Sequence, residues 1–386
     1  MVDFSFTPEQ EALREVARKF AEEEVEPKVK WMDEKDEVPM DLIKRMGELG
    51  FMSVLIPRKY AEDVPYAGMG HVARTIILEE LGRVSPALSQ ALQIFHLGHA
   101  PIIYFGTDEQ KERWLPDLAT GKKLSTLAMT EPWGGSDPIG SIKTTAKREG
   151  DEYVLNGVKV WITNAHIADV IGVVARTGEG PKGFSVFIVE KGMKGFKHGA
   201  INKGIGLRGC NVGGIVLKDC RVPVENRIGE EGEGLKIALH AVSNVGRPGV
   251  AATALGIVRR CLEEAVKYSK QRTLYGKPIA ELQAVQWHLT DIYMDYQISR
   301  LLLYYSAWLR DIGKRADAEN AMGKFWATES AVRCARKLVD IYGAWGNAIN
   351  KIPQRLLRDA IPLIAAAGTN EIMRLVMVRK ILKELT

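Results

Sequence analysis

The chain has little of what staples or wires a fold. Its four cysteines, Cys210, Cys220, Cys261 and Cys334, are scattered through 386 residues without a C-x-x-C pair, which excludes a disulfide scaffold and a thiolate zinc site. They read as reduced, structural thiols. The seven histidines show no metal-ligand spacing. No uninterrupted apolar run reaches about 18 residues, so no membrane-spanning helix is expected. The first ten residues carry acid where a leader would be basic and apolar, which makes the cytoplasm the expected compartment. Charge of one sign is scarce too: 53 basic against 48 acidic residues leave +5. That surplus is too small to argue for nucleic acid and suits at most an anionic small ligand.

What is present is an ordinary globular mixture, 46% hydrophobic and 26% charged, long enough for two or three domains at roughly 150 residues each. Thr7 as N-cap, Pro8 at the first helical position and Gln10 three residues on form a capping box, and Leu13, Val16, Ala17, Phe20 and Ala21 fall on one stripe. Further helical segments are predicted over Met40–Leu49, Met69–Leu81 and Pro86–Tyr104, giving a helical domain over 1–121. From about Leu124 the period shifts from 3.6 to 2. Tyr153–Leu155, then Asn156-Gly157, then Val158–Ile162 reads as a two-residue hairpin, because Asn-Gly supplies two positive-φ positions. Val170–Ala175, Phe184–Val189 and Ile215–Leu217 continue the pattern, so a small antiparallel sheet domain is expected over 122–233. After Gly229–Gly234 the chain returns to long helices over 234–386, broken near Gly276-Lys277-Pro278, Asp311–Arg315 and Gly343–Pro353. The last helix starts after Gly368-Thr369.

Several short motifs stand out together. Thr130-Glu131-Pro132-Trp133-Gly134-Gly135-Ser136-Asp137 follows a strand, and alone it reads as a surface turn. Trp161-Ile162-Thr163-Asn164, Arg208-Gly209, Arg221-Val222-Pro223, Arg272 to Ile279, Arg358-Asp359-Ala360 and Gly368-Thr369-Asn370-Glu371-Ile372 accompany it in that order. The set resembles the acyl-CoA dehydrogenase family of flavoenzymes over essentially the whole chain. The resemblance implies a mainly α fold: an N-terminal helical domain, a central antiparallel β-barrel-like domain and a C-terminal four-helix bundle, assembled as a homotetramer. It also implies a noncovalent FAD, with the flavin edge near Met129, Thr130, Trp161 and Thr163. Gly135 and Ser136 would lie beside it, and Ser136 would bond the flavin or the thioester arm. Arg272, Tyr275, Gln283 and the Asp340–Gly346 loop, Gly343 included, would reach the dinucleotide part, where a planar guanidinium suits pyrophosphate. Thr369 and Glu371 belong to the flavin end of the last helix. Asn244, Arg247 and Gly368 would face the CoA ester. An electron-transferring flavoprotein is the family's usual electron acceptor.

The family reaction removes the proton α to the thioester with a carboxylate and moves the β-hydrogen to FAD as hydride. By resemblance, the Ala367 amide is the backbone donor to the thioester oxygen, and preorganised donors of this kind stabilise a developing enolate. The carboxylate is missing. Most members place glutamate where this chain has Ala367; a minority place it before an arginine, where this chain has Gly246 before Arg247. Asn244 also replaces the aspartate that often accompanies that arginine, and Cys210-Asn211-Val212 replaces Ser-x-Thr. Losing a general base costs about 10²–10⁴ in rate.

The favoured expectation is hydride transfer with the proton taken elsewhere, as in 1,4-elimination from a cyclic enoyl-CoA. Members that do this recruit an aspartate from the pocket helix, yet Ala87–His99 holds no acid; its titratable residues are His96 and His99. His96 is a candidate base, and its blander reading is a satisfied core histidine. The alternatives are a non-redox thioester lyase or desulfinase, an enoyl-CoA reductase, an engineered glutamate-to-alanine change at 367, and a flavin-bearing or CoA-ester-binding subunit without catalysis. Glu131 and Asp137 read as turn residues rather than substitute bases.

Overall fold

A computed structural model describes residues 5–384; Met1 to Phe4, the start of the segment read against a leader, lie outside it. The first part is helical: α1 (Pro8–Lys19), α2 (Glu26–Lys35), α3 (Met40–Glu48), α4 (Gly70–Val84), α5 (Pro86–Phe105) and α6 (Asp108–Ala119). The expected capping box forms, with the Thr7 hydroxyl accepting from the Gln10 amide and the Gln10 side chain accepting from the Thr7 amide. Between α1 and α2, Phe20–Val25 winds as a π-helix. α5 is buried almost all round, which is why its sequence shows no clear polar face.

Strands follow: β1 (Ser125–Ala128), the short α7 (Pro138–Ser141), then β2 (Thr145–Glu149), β3 (Glu152–Thr163), β4 (Val170–Arg176), β5 (Phe184–Glu190), β6 (Phe196–Ile201), β7 (Val212–Pro223) and β8 (Arg227–Ile228). They form one sheet in the order β6-β7-β3-β2-β4-β5-β8. It is antiparallel except at β4, where β1 pairs in parallel, as does one residue of β2. β4 and β5 read as unbroken apolar runs because both faces are covered. Val170, Val174, Val186 and Ile188 pack into the helical core, while Ile171, Val173, Phe187 and Val189 point into a separate core of the sheet.

The Asn156-Gly157 hairpin expected from the sequence is not there. β3 runs straight through that dipeptide with a bulge against β7, and the real reversal lies at Gly150-Asp151, between Glu149 and Glu152. Two contacts decide it. Asn156 exchanges hydrogen bonds with Asp219 of β7, at 3.2 Å from its amide and 2.8 Å to its carbonyl. Gly157 passes so close over Thr144 that a Cβ there would meet its Oγ1 at 2.2 Å. The glycine serves close approach rather than a turn.

The C-terminal part comprises α8 (Gly234–Ala241), α9 (Arg247–Gln271), the two-stranded β9 (Thr273–Leu274) and β10 (Lys277–Pro278), α10 (Gln283–Asp311), α11 (Asp317–Tyr342), α12 (Ile352–Leu363) and α13 (Asn370–Glu384). A π-helical turn, Val242–Gly246, joins α8 to α9. Arg358-Asp359 ties the three parts together. Its guanidinium holds both Asp33 oxygens at 2.9 and 2.6 Å, and the Asp359 carboxylate accepts the Leu207 amide at 2.6 Å. These motif residues are therefore structural.

Candidate active site

Two chain segments converge on the expected thioester position. The first is the loop after α12, where Ala367 (φ 54°) and Gly368 (φ 97°) are consecutive left-handed residues. Such a pair turns the backbone sharply before α13, whose first turn is capped by the Thr369 hydroxyl accepting from Ile372 N at 3.4 Å. The Ala367 amide finds no acceptor among the described residues, so the donor assigned to the thioester oxygen is free. Lys324 of α11 holds this loop from behind. Its Nζ donates to Ile364 O at 2.6 Å, Gly368 O at 3.0 Å and Asn370 Oδ1 at 2.7 Å, and the side chain is fully buried. Burial, then the nearby Arg247 charge, pulls the ammonium down to about 7.

The second segment is the π-helical turn. Arg247 N donates to Val242 O, one residue wider than an α-helical bond, and such bulges concentrate at functional sites. Gly246 thereby faces the loop: a Cβ there would lie 3.4 Å from the Ala367 Cβ and 3.6 Å from Leu97 Cδ1. The two positions that the resemblance names for the base thus lie within contact range of each other. Beside it, Asn244 and Arg247 are buried, and Asn244 Oδ1 and Arg247 Nε have no protein partner. Buried polar atoms are ordinarily paired, so these orphans fit a polar ligand such as the CoA ester. Arg247 Nη1 donates to Ser243 Oγ at 3.3 Å, and Ser243 donates to Asp317 at 2.7 Å.

The expected flavin wall lies on the β domain. Met129 and Thr130 extend β1, and Thr130 O accepts the Val160 amide at 3.0 Å. The Thr163 carbonyl accepts from the Thr126 hydroxyl at 2.7 Å. Trp161 sits at φ 57° and is 58% exposed, a strained and uncovered aromatic that a planar cofactor would cover. An open cleft of about 430 Å³ lies over the loop of Trp133, Gly135, Ser136 and Asp137. Underneath, buried Lys159 donates to Met129 O at 3.2 Å and Glu131 Oε1 at 2.8 Å. Glu131 also accepts from Lys143 N, Thr144 N and the Thr144 hydroxyl. Asp137 caps α7 through Gly140 N at 3.0 Å. Both acids are turn anchors, as the sequence suggested.

The candidacy of His96 as a base is corrected by its surroundings. It is fully buried; its Nε2 lies 2.9 Å from Phe51 O and its Nδ1 accepts from Arg74 Nε at 3.1 Å. Burial first, then the Arg74 charge, holds its pKa well below the usual imidazole value. A proton on Nδ1 would displace the Arg74 bond and set two cations together.

Arg272, Tyr275 and Gln283 stand exposed around the β9–β10 hairpin, and Asp340 and Gly343 are exposed at the end of α11. Tyr268 stacks on Tyr342 at 3.8 Å, joining these two groups at one end of the bundle. No hydrogen bond or ion pair links them to Met129–Thr163 among the described residues. Glu371 is exposed, its carboxylate held below the usual range by its own amide and the Thr369 hydroxyl. Lys324 and the Glu131–Lys159 pair escaped sequence reasoning. Their only signal was a lone lysine within an apolar stretch, Gly323–Ala327, and another at an inward strand position.

Residues 7–122, 126–220 and 232–382 match the N-terminal, middle and C-terminal domains of acyl-CoA dehydrogenases. The chain belongs to the acyl-CoA dehydrogenase family. It is 40% identical to an acyl-CoA dehydrogenase of Bacillus subtilis over 97% of this chain and 98% of that one. It is 38% identical to a 3-(aryl)acrylate reductase of Clostridium sporogenes over 98% and 100%. The butyryl-CoA dehydrogenase of Megasphaera elsdenii superposes with a TM-score of 0.95 at 34% identity, covering 99% and 100% of the two chains. This acyl-CoA dehydrogenase is accordingly an FAD-dependent CH–CH oxidoreductase. When bound, FAD supplies the two-electron acceptor; Trp161, the 133–137 loop and the β1 extension are the residues that would hold its flavin.

Proposed function

We propose that this acyl-CoA dehydrogenase oxidises a CoA thioester without a carboxylate over the α-carbon, by 1,4-elimination from a cyclic enoyl-CoA. A proton leaves the γ-carbon for water and its bonding pair forms the new Cβ=Cγ bond. The former Cα=Cβ pair forms a double bond between the α-carbon and its other ring neighbour, and FAD, when bound, would accept the hydride that this neighbour gives up. The Ala367 amide steadies the thioester oxygen throughout, and Lys324 keeps that amide in place. Asn244, Arg247, Ser136 and Gly368 contact the CoA ester.

The supporting observation is the closeness of Gly246 to Ala367 and Leu97, the nearest atoms to a Cβ on Gly246 being apolar carbons of those two residues at 3.4 to 3.8 Å. The test is anaerobic bleaching of the holoprotein against straight, branched, dicarboxylic and cyclic CoA esters, in the wild type and Ala367→Glu. Bleaching of the wild type by cyclic enoyl esters alone is expected. An inert wild type that Ala367→Glu turns into a fast straight-chain dehydrogenase would overturn the proposal.

A reductive direction is the second reading, favoured by the 3-(aryl)acrylate reductase relative. It needs a proton donor instead of a base, and reoxidation of dithionite-reduced protein by enoyl esters reports it. Assembly as a homotetramer is supported by apolar residues left exposed on α10 and α13, among them Leu301, Trp308, Leu375 and Ile381. Arg272, Tyr275, Gln283, Asp340 and Gly343 would then meet the FAD of a neighbouring copy. An electron-transferring flavoprotein, the family's usual acceptor, would collect the electrons. No helix among the described residues is long and apolar enough to cross a membrane, and we place the enzyme in the cytoplasm.

A further inference from the structure

Arg74 of α4 is 2% exposed and has no carboxylate within ion-pair distance among the described residues. Its Nε donates to His96 Nδ1 at 3.1 Å and its Nη2 to Gln93 Oε1 at 3.4 Å, both neutral acceptors. Two other buried arginines are paired, Arg83 with Glu22 and Glu263 and Arg260 with Glu26 and Glu264, whereas Arg247, beside Gly246, is the other buried arginine without a carboxylate at ion-pair distance among the described residues. An uncompensated buried cation is costly, and a fold that keeps one holds it for something.

Its position says what that is. Gly249 follows Gly246 by one turn of α9, and Gln93 precedes Leu97 by one turn of α5, so each helix presents a second residue one layer deeper than the thioester seats. A Cβ on Gly249 would meet Arg74 Nη2 at 2.3 Å and Gln93 Oε1 at 2.7 Å. The guanidinium therefore lies flush against bare backbone, about one helical turn, roughly 5 Å, beyond the Gly246–Ala367 space. Gln93 Nε2 is buried without a partner in the same layer, and so is His99 Nδ1 on the adjoining turn of α5. Of the five N–H groups on a guanidinium, two are occupied here, which leaves donors of the kind that pair with a carboxylate.

We infer that Arg74, with Gln93 beside it, is a subsite for a second carboxylate at the far end of a short acyl group, open-chain or cyclic. The inference rests on the Gly246–Ala367 space being where the α-carbon sits. It makes the substrate a dicarboxylic acid monothioester.

Isothermal titration of the holoprotein with glutaryl-CoA and pentanoyl-CoA, matched in length, tests it, with the flavin absorbance shift as a second readout. The wild type should bind glutaryl-CoA about 10- to 100-fold more tightly, the range of a charge-assisted contact. Arg74→Met should erase that preference while changing pentanoyl-CoA affinity less than about threefold, and Arg74→Lys should keep part of it. Should Arg74→Met not fold, Gly249→Ala, which pushes the guanidinium aside without removing charge, should reduce the preference. Equal or better binding of pentanoyl-CoA by the wild type, or equal losses for both esters in the variants, overturns the subsite and leaves the proposed function standing. Binding of neither ester overturns the subsite, while the proposed function is judged separately by bleaching with cyclic enoyl esters.

Discussion

Gly246 and Ala367 face each other at contact range: a Cβ on the first would stand 3.4 Å from the Cβ of the second. One lies in the π-helical turn before α9 and the other in the loop after α12, 121 positions apart, and on the proposed reading they are alternative mountings for the same carboxylate. Gly246 has an ordinary helical φ of −61°, so a side chain there meets no backbone strain. Ala367 already bears its left-handed φ, and a larger residue adds nothing to that cost.

Glutamate at either position should therefore do similar work. Ala367→Glu and Gly246→Glu should each raise bleaching by a saturated straight-chain acyl-CoA by about 10²–10⁴. The double variant should be no faster than the better single one, because two carboxylates in one pocket disfavour joint ionisation. Stopped-flow flavin absorbance measures all three; additive gains would show that the positions serve separate spaces.

Lys324 should govern polarisation of the thioester rather than its binding. Below about pH 7 the ammonium offers three protons to its three acceptors; above, one donor is lost and the loop carrying the Ala367 amide slackens. The red shift of a bound aromatic CoA thioester should diminish as pH rises through about 7. Lys324→Met should show the diminished shift at every pH, with kcat down about tenfold, less than outright loss of an oxyanion donor, and KM little changed. The folded-state pKa is depressed, so the charged form is penalised by folding. This group's contribution to stability accordingly rises from pH 7 toward 10.5.

Lys159 and Glu131 form a buried pair beneath the flavin wall, with burial holding the lysine down to about 8 against the pull of the carboxylate. Lys159→Met leaves Glu131 charged and buried and should cost about 3–5 kcal/mol, with faster FAD release. Glu131→Gln combined with Lys159→Met should cost less than Lys159→Met alone. Denaturant midpoints and flavin fluorescence on dilution provide the comparison; a costlier double variant would contradict it.

Asp359 has its pKa raised to about 6, chiefly by burial. Between about 3.8 and 6 the folded state holds a proton that the unfolded state has released, so this group favours folding at low pH and the benefit is lost as pH rises through 6. Asp359→Asn mimics the protonated form and keeps an acceptor for the Leu207 amide. Its stability relative to wild type should climb from pH 5 to 7, toward about 3 kcal/mol. A pH-independent difference in melting temperature would rule this origin out.

The sequence by itself determined the order of helices, strands and helices, the capped first helix and the family motifs. Each is written in local pattern, where side-chain period, caps and turn residues act within a few positions. Even there, Asn156-Gly157 misled, since the same dipeptide that closes a hairpin also suits a bulge where a neighbouring residue, here Thr144, packs against its glycine. Tertiary structure alone decided that Gly246 and Ala367 lie within contact range, that His96 is tied up by Arg74 and Phe51, and that Lys324 grips a loop more than 40 residues away. The physical reason is that hydrogen-bond partners and buried charges are selected by packing between segments distant in the chain, and no local period records which segments will meet.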